Sequence, residues 1–304
     1  MDESRNMSDD ENVVDPTPRH IGDLFTVGPL AYGTWRFTDP DVDTGRRLLE
    51  AALDLGMNLI DTADIYGFEF GQVEQIIGRI LAATPGLRDR MVLATKGGIR
   101  PGVPYDSSPR WLVQACDDSL RRLQVDVIDL YQIHRPDLLA HPEDVADTLL
   151  ALRGAGKILS VGLSNHTTAQ IETLAAFLDD ALVVTQPELS LACLDPMRDG
   201  SLDQAVRLAL APLAWSPLAG GRLATGDGVA PELLVELDRL AQREGVDRSA
   251  IALAFVLALP SDPIAIVGTQ QPDRLVAATA ALGVQLDRAD CYALVVAAEG
   301  APLP

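Results

Sequence analysis

Lysine is nearly absent. Of the 24 basic residues in this 304-residue chain, only Lys96 and Lys157 are lysine; the rest are arginine. Against such a bias, each lysine marks a place where a compact ammonium is wanted and a planar guanidinium is not. Cysteine is scarce as well. Cys116, Cys193 and Cys291 are widely spaced, odd in number and form no CxxC, which excludes a disulfide framework and points to reduced thiols in a cytosolic setting. His20, His134, His141 and His166 have no ligand spacing with those cysteines, so no metal site is expected. The formal net charge is −20, which argues against nucleic acid or an anionic membrane as partner. Long hydrophobic runs are missing too. The longest, AIALAFVLAL from Ala250 to Leu259, falls well short of the roughly 20 residues that span a bilayer and reads as a buried helix. The N-terminal MDESRNMSDDENVVD has no apolar core, so it is not a signal segment. Residues 1–16 read as a disordered acidic tail, 17–304 as one folded domain, and a cytoplasmic location is expected.

What is present is a regular alternation. Short β-branched runs end near residues 33, 61, 96, 134, 164, 186, 215 and 267, and each is followed by a helical pattern. The first run is VGPLAYG (27–33). Later helical stretches include 44–56, closed by Gly56, one entered through Ser-Pro at 108–109, a long region at 231–258 and a last helix from Pro272. The spacing of about 20–50 residues suits right-handed crossovers between parallel strands. Eight such units predict a (β/α)8 barrel, a TIM barrel of a single domain. A doubly wound open sheet is the rival, but GPLAYGTW after the first strand is not the G-x-G-x-x-G turn that fold uses.

In such a barrel, reacting groups stand at the C-terminal strand ends. Asp61 ends the second strand in LIDTADIYG, Tyr66 lies in the loop after it, Lys96 ends the third strand and His134 the fourth. Four ionisable groups of different types thus share one rim. Such a cluster can deliver a proton to an oxygen on which negative charge builds during a reaction. Tyrosine can supply it, and a lysine beside the phenol favours phenolate; at roughly 4 Å and an effective dielectric of about 20 the attraction approaches ~4 kcal/mol. Asp61 would hold Lys96 charged and aimed, and His134 would orient the proton acceptor or assist the transfer. Lys157, in RGAGKILS, lacks the first glycine and the Ser/Thr of a phosphate loop and is expected at the opposite rim.

DTADIYG, TKGG, SLRRLQVDVIDLYQIHRPD, GKILSVGLSNH and AWSPLAGGRL, in that order, resemble the aldo-keto reductase superfamily from about Val27 to Gly283. The resemblance implies NADP(H) as cofactor, bound without a Rossmann domain, a small-molecule carbonyl substrate, and a tetrad of Asp61, Tyr66, Lys96 and His134. It also implies that Ser164, Asn165 and Gln186 hold the nicotinamide carboxamide and that Trp215 stacks on the ring. Gly33, Thr34, Trp35 and Asp61 join the cofactor-contacting set. Ser216, Leu218, Gly221 and Arg222, in SPLAGGRL, would wrap the pyrophosphate. Gly268, Thr269 and Gln270 lead into a helix start that suits an anion, and Arg274 would grip the 2′-phosphate. A lysine common near Gly268 and a Glu-Asn pair common at Ala277 and Ala278 are absent.

The substrate pocket is expected from Trp35, Phe37, Tyr66, Phe68 and His134, with Phe70 and Tyr105 as further mouth residues. Short loops after strands four and seven are expected to leave it open. Two rival readings share these features: an oxidising sugar or polyol dehydrogenase, and a cofactor-binding regulatory subunit like the β subunits of potassium channels. Oligomeric state is left open, with a monomer plausible.

Overall fold

The computed structural model describes residues 11–37 and 41–303. Eight parallel strands close a barrel: β3 (Leu30–Gly33), β4 (Leu59–Asp61), β5 (Val92–Gly97), β6 (Ile128–Ile133), β7 (Ile158–Ser164), β8 (Leu182–Gln186), β9 (Ala211–Ala214) and β10 (Ile264–Val267), with β10 hydrogen-bonded back to β3. The observed strand ends fall within a residue of those expected, so the (β/α)8 barrel stands. A short antiparallel hairpin, β1 (Arg19–Ile21) and β2 (Phe25–Val27), precedes it. This splits the expected first strand in two. Ile21 and Val27 pack with Leu59, Val92, Leu130, Val184 and Leu213, so the hairpin closes the N-terminal end of the barrel with apolar side chains. Asn58 fastens it, accepting from Gly28 N at 2.9 Å and donating to Thr26 O at 3.1 Å. A Cβ on Gly28 would lie 2.2 Å from Gly56 O, so only glycine fits there.

Around the barrel run α1 (Val42–Asp54), α2 (Gln72–Ala83), α3 (Pro109–Leu123), α4 (Pro142–Gly154), α5 (Thr168–Leu178), α6 (Ser201–Arg207), the single turn α7 (Arg222–Thr225), α8 (Pro231–Glu244), α9 (Arg248–Leu257), α10 (Pro272–Thr279) and α11 (Arg288–Glu299). Ser108 caps α3, accepting from Trp111 N at 3.4 Å, with Pro109 in the first turn. The long region expected at 231–258 is two helices, because Gly245 takes a left-handed conformation (φ 68°) at the end of α8 and the chain turns before α9. Ala250 to Leu257 of the AIALAFVLAL run are all buried, so α9 is covered on every side there. None of the described helices is long and apolar enough to cross a membrane.

The fold also reaches further toward the N-terminus than expected. Val13 N donates to Leu286 O at 2.8 Å, Asn12 Oδ1 accepts from Leu286 N at 3.0 Å, and Val14 is buried. Residues 12–16 therefore belong to the packed domain, because two valines among the acids give the segment something to bury. The rest of the expected tail, residues 1–10, lies outside the described residues.

Phe37 is not at the mouth. It is fully buried, and a Cβ on Gly45 of α1 would sit 2.8 Å from its ring and 2.6 Å from Ile80 of α2, so the first loop uses this ring to anchor itself between two helices. Phe68 is 82 % exposed. Phe37→Ala is accordingly expected to destabilise the protein by about 3–5 kcal/mol and Phe68→Ala by less than about 0.5 kcal/mol. Urea unfolding of the two variants measures the contrast; comparable losses would place the Phe68 ring in the core after all.

Candidate active site

Strand periodicity builds the site. Side chains alternate across a strand, and the inward rows run apolar at the bottom and polar at the top: Leu59 then Asp61, Ala94 then Lys96, Leu130 then Gln132, Val184 then Gln186. Lys96 and Gln132 are register partners on β5 and β6. A carboxylate and an ammonium in a barrel interior need one another, and here both are buried. Lys96 Nζ lies 2.6 Å from Asp61 Oδ2, donates to Thr62 O at 2.9 Å and to Tyr66 Oη at 3.3 Å. All three ammonium protons are thereby assigned. The other carboxylate oxygen, Asp61 Oδ1, accepts from Gln132 Nε2 at 3.2 Å and Gln186 Nε2 at 3.0 Å.

This arrangement answers why an apolar strand stops on an acid. Burial pulls the Lys96 ammonium toward neutrality, but Asp61 and Tyr66 outweigh it and hold its pKa above the ordinary lysine value. Tyr66 goes the opposite way from the expectation that lysine alone would set. Burial is the largest influence on the phenol and raises its pKa; Lys96 opposes this without overcoming it. The hydroxyl is thus held protonated. His134 packs edge-on against it, with ring centroids 5.9 Å apart. Burial, reinforced by Lys96 and Arg135, pushes the imidazole down to about 2, so it stands neutral.

Behind this layer is a second one that the sequence does not reveal. Asp64 is fully buried, neither carboxyl oxygen has a partner among the described residues, and burial together with Glu74 holds its pKa well above the carboxylate range. Glu74 takes the nearby cation: its oxygens accept from Thr95 Oγ1 at 2.6 Å and Arg122 Nε at 2.7 Å. One guanidinium serves Glu74, and Asp64 is left with burial and a neighbouring carboxylate that both favour its protonated form.

The remaining expected residues gather at the same rim. Gly33 and Thr34 end β3, and both the N–H and the hydroxyl of Thr34 donate to Asp61 O, at 2.9 and 3.1 Å. Ser164 and Asn165 end β7; Asn165 Nδ2 donates to Ser164 Oγ at 2.7 Å, and its Oδ1 accepts from Trp215 Nε1 at 3.0 Å, which fixes the indole plane. Gln186 is at the rim and gives one of its two amide N–H groups to Asp61, a partner the resemblance does not give it. The segment after β9 is long, not short. From Trp215 to Ala230 it carries a 3-10 turn at Ala219–Gly221 and the turn α7 before α8 begins. Its backbone takes positive φ at Ser216, Ala219, Gly220 and Gly221, turning Leu218 and Arg222 along the rim. Arg36 reaches across and donates to Gly220 O at 2.6 Å. Gly268, Thr269 and Gln270 follow β10, and Arg274 lies exposed in the first turn of α10.

Trp35 and Phe68 present exposed rings at the rim. Phe70 instead lies 5.6 Å from the Arg122 guanidinium, outside the barrel. Tyr105 is half exposed in the loop after β5. Lys157 is at the opposite rim, before β7, paired with Asp117 at 2.5 Å. Sequence reasoning missed Gln132 and Arg135. The first was legible from its period-two spacing with Leu130; the second is the residue after His134, and nothing in its own neighbourhood singles it out.

Comparison with known proteins places this geometry. The aldo/keto reductase family profile matches residues 29–297. A 6-dehydroglucose reductase of Novosphingobium aromaticivorans is 47 % identical over 95 % of this chain and 98 % of its own length. A 6-dehydroglucose reductase of Agrobacterium fabrum is 34 % identical over 92 % of this chain and 97 % of its own. The crystal structure of a thermostable aldo-keto reductase, Tm1743, in complex with the inhibitor epalrestat superposes with a TM-score of 0.80 at 23 % identity, covering 92 % of this chain and 99 % of that one, a likeness of fold. The chain is a member of the aldo/keto reductase family.

Proposed function

We propose that the protein reduces aldehydes, of the hydroxylated sugar-aldehyde class, to alcohols with NADPH. The observation that carries the reading is the Lys96 ammonium shared between the Asp61 carboxylate and the Tyr66 hydroxyl at the open end of the barrel. The sugar class follows from the names of the two relatives above, which align over nearly the whole chain.

The residues present fit a nicotinamide dinucleotide. Trp215 offers a ring face fixed by Asn165, Gln270 Nε2 is an orphaned amide donor in the loop entering α10, and the left-handed glycines 220 and 221 leave backbone bare along the rim. Ser164, Asn165 and Trp215 would hold the nicotinamide end, the Ser216–Arg222 segment the pyrophosphate, and Arg274 the 2′-phosphate. When bound, the cofactor supplies hydride to the carbonyl carbon. The chain does the rest. Tyr66, protonated at neutral pH, donates its hydroxyl proton to the carbonyl oxygen. Lys96 stabilises the phenolate left behind, and Asp61 keeps Lys96 in place so that no reorganisation is needed during the reaction. Neutral His134 is an uncharged hydrogen-bonding group at the carbonyl.

The pH dependence follows from the two directions. With His134 pushed down to about 2 and Tyr66 held above its ordinary value, neither group changes charge near neutrality. The kcat/KM for reduction should stay flat from about pH 5 to 9 and fall only on the alkaline side, as Tyr66 loses its proton. A step near the ordinary imidazole pKa would show that His134 titrates in turnover.

Arg274 is exposed, so its grip on a phosphate dianion is worth a modest amount, about 1.5–3 kcal/mol. Arg274→Ala should weaken NADPH about 10- to 100-fold while moving NADH less than about 3-fold. Dinucleotide titration followed by tryptophan fluorescence measures both; equal losses would remove Arg274 from the 2′-phosphate site. The direct test of the activity is NADPH consumption with glyceraldehyde and other hydroxylated aldehydes. Tight NADPH binding without turnover of any carbonyl would overturn the reading.

A further inference from the structure

We infer that Arg135 is the residue that selects an oxygen-rich substrate, gripping hydroxyl groups next to the aldehyde that Tyr66 protonates. The inference rests on the reductase reading above and adds a residue to it. Arg135 follows His134 at the end of β6, is half-buried, and forms neither an ion pair nor a hydrogen bond among the described residues. Every other described arginine that is buried or half-buried has a carboxylate: Arg19, Arg46, Arg88, Arg122, Arg153 and Arg248 each meet one, and a chain of net charge −20 has carboxylates to spare. A partly desolvated guanidinium left without one has donors for an acceptor that arrives from outside.

Its position says which acceptor. The guanidinium carbon lies 6.0 Å from the centroid of the Trp215 ring, the ring whose plane Asn165 fixes. Arg135 is also close enough for its charge to act on both the Tyr66 hydroxyl and the His134 imidazole. It therefore stands beside the reacting carbonyl and not at the far, phosphate end of the groove. The exposed rings of Trp35 and Phe68 are at the same rim. A planar fork of N–H donors among aromatic faces matches a sugar chain, whose hydroxyl edges accept hydrogen bonds and whose C–H faces lie against rings. A plain alkyl aldehyde has nothing for the fork to hold.

The test compares three aldehydes of increasing polarity: propionaldehyde, glyceraldehyde, which has the same carbon count with two hydroxyls added, and succinic semialdehyde, which has a carboxylate. Arg135→Leu and, as a milder variant that retains an amide donor, Arg135→Gln are assayed with NADPH against the unaltered protein, and NADPH affinity is measured separately by fluorescence. Arg135→Leu should lower kcat/KM for glyceraldehyde about 10- to 100-fold, mainly through KM, while propionaldehyde changes less than about 3-fold. Arg135→Gln should recover part of the loss. An equal loss on all three aldehydes, carried by kcat, would overturn the inference and assign Arg135 to the electrostatics of Tyr66. A loss confined to succinic semialdehyde would overturn it in favour of an anionic substrate. If the unaltered protein turns over no aldehyde while binding NADPH, the reductase reading itself fails; that outcome is separable, because it appears before any variant is made.

Discussion

Tyr66→Phe should abolish most turnover, by about 100- to 10,000-fold in kcat, and leave the fold and the dinucleotide affinity nearly untouched. The substitution removes one oxygen. Among the described residues that oxygen makes a single hydrogen bond, accepted from Lys96 Nζ at 3.3 Å, so the folded state loses on the order of 1 kcal/mol. The ring keeps its packing against the core and its edge-on contact with His134. What disappears is the hydroxyl that Lys96 holds at the rim, and with it the proton delivered as charge builds on the substrate oxygen. Two measurements on one preparation decide the matter: steady-state reduction of an aldehyde by NADPH, and NADPH titration by tryptophan fluorescence. Substantial surviving turnover with intact binding would move the acid to another group. Loss of both would mean that the hydroxyl shapes the site and is not confined to proton transfer.

The barrel and the four-residue cluster were legible because both are periodic features. Strand ends at regular intervals need no knowledge of contacts, and Asp61, Lys96 and His134 are each at or next to such an end. What escaped the sequence was everything decided by which of two faces a residue takes, or by a partner far along the chain. Phe37 reads as a rim aromatic, yet Gly45 and Ile80 leave a hole that it fills. Val13 and Val14 are lost among acids until Leu286 supplies a backbone partner. Asp64 sits in the same DTADIYG run as Asp61. The inward one meets an ammonium, whereas the outward one shares a buried space with Glu74, which already holds Arg122. The acidity of Tyr66 also needed the structure, because a lysine's pull and the penalty of burial have opposite signs and only the depth of the site decides between them.

Lys96→Met should damage stability and activity together, and a second substitution should separate them. In the folded protein the ammonium is buried with the Asp61 carboxylate at 2.6 Å. Removing it leaves a buried carboxylate with only the two glutamine amides, a loss of about 3–5 kcal/mol of unfolding free energy. Turnover should fall at least as far as in Tyr66→Phe, since the phenolate formed during reduction loses its counter-charge. The Asp61→Asn, Lys96→Met pair removes both charges and leaves polar groups that Gln132 and Gln186 can still satisfy, so much of the stability should return while turnover stays lost. The pH dependence gives a further check on the unaltered protein. A lysine held above its ordinary pKa contributes stability that is fully present below that ordinary value and is lost as pH rises through the raised one. Unfolding free energy should therefore fall between the unaltered protein's neutral plateau and strongly alkaline pH, and the doubly substituted protein should lack that part of the fall. If the double variant instead stays as unstable as Lys96→Met alone, the cost lies in packing around the lysine stem and not in an uncompensated charge. If it regains turnover, neither Lys96 nor Asp61 supports the proton transfer.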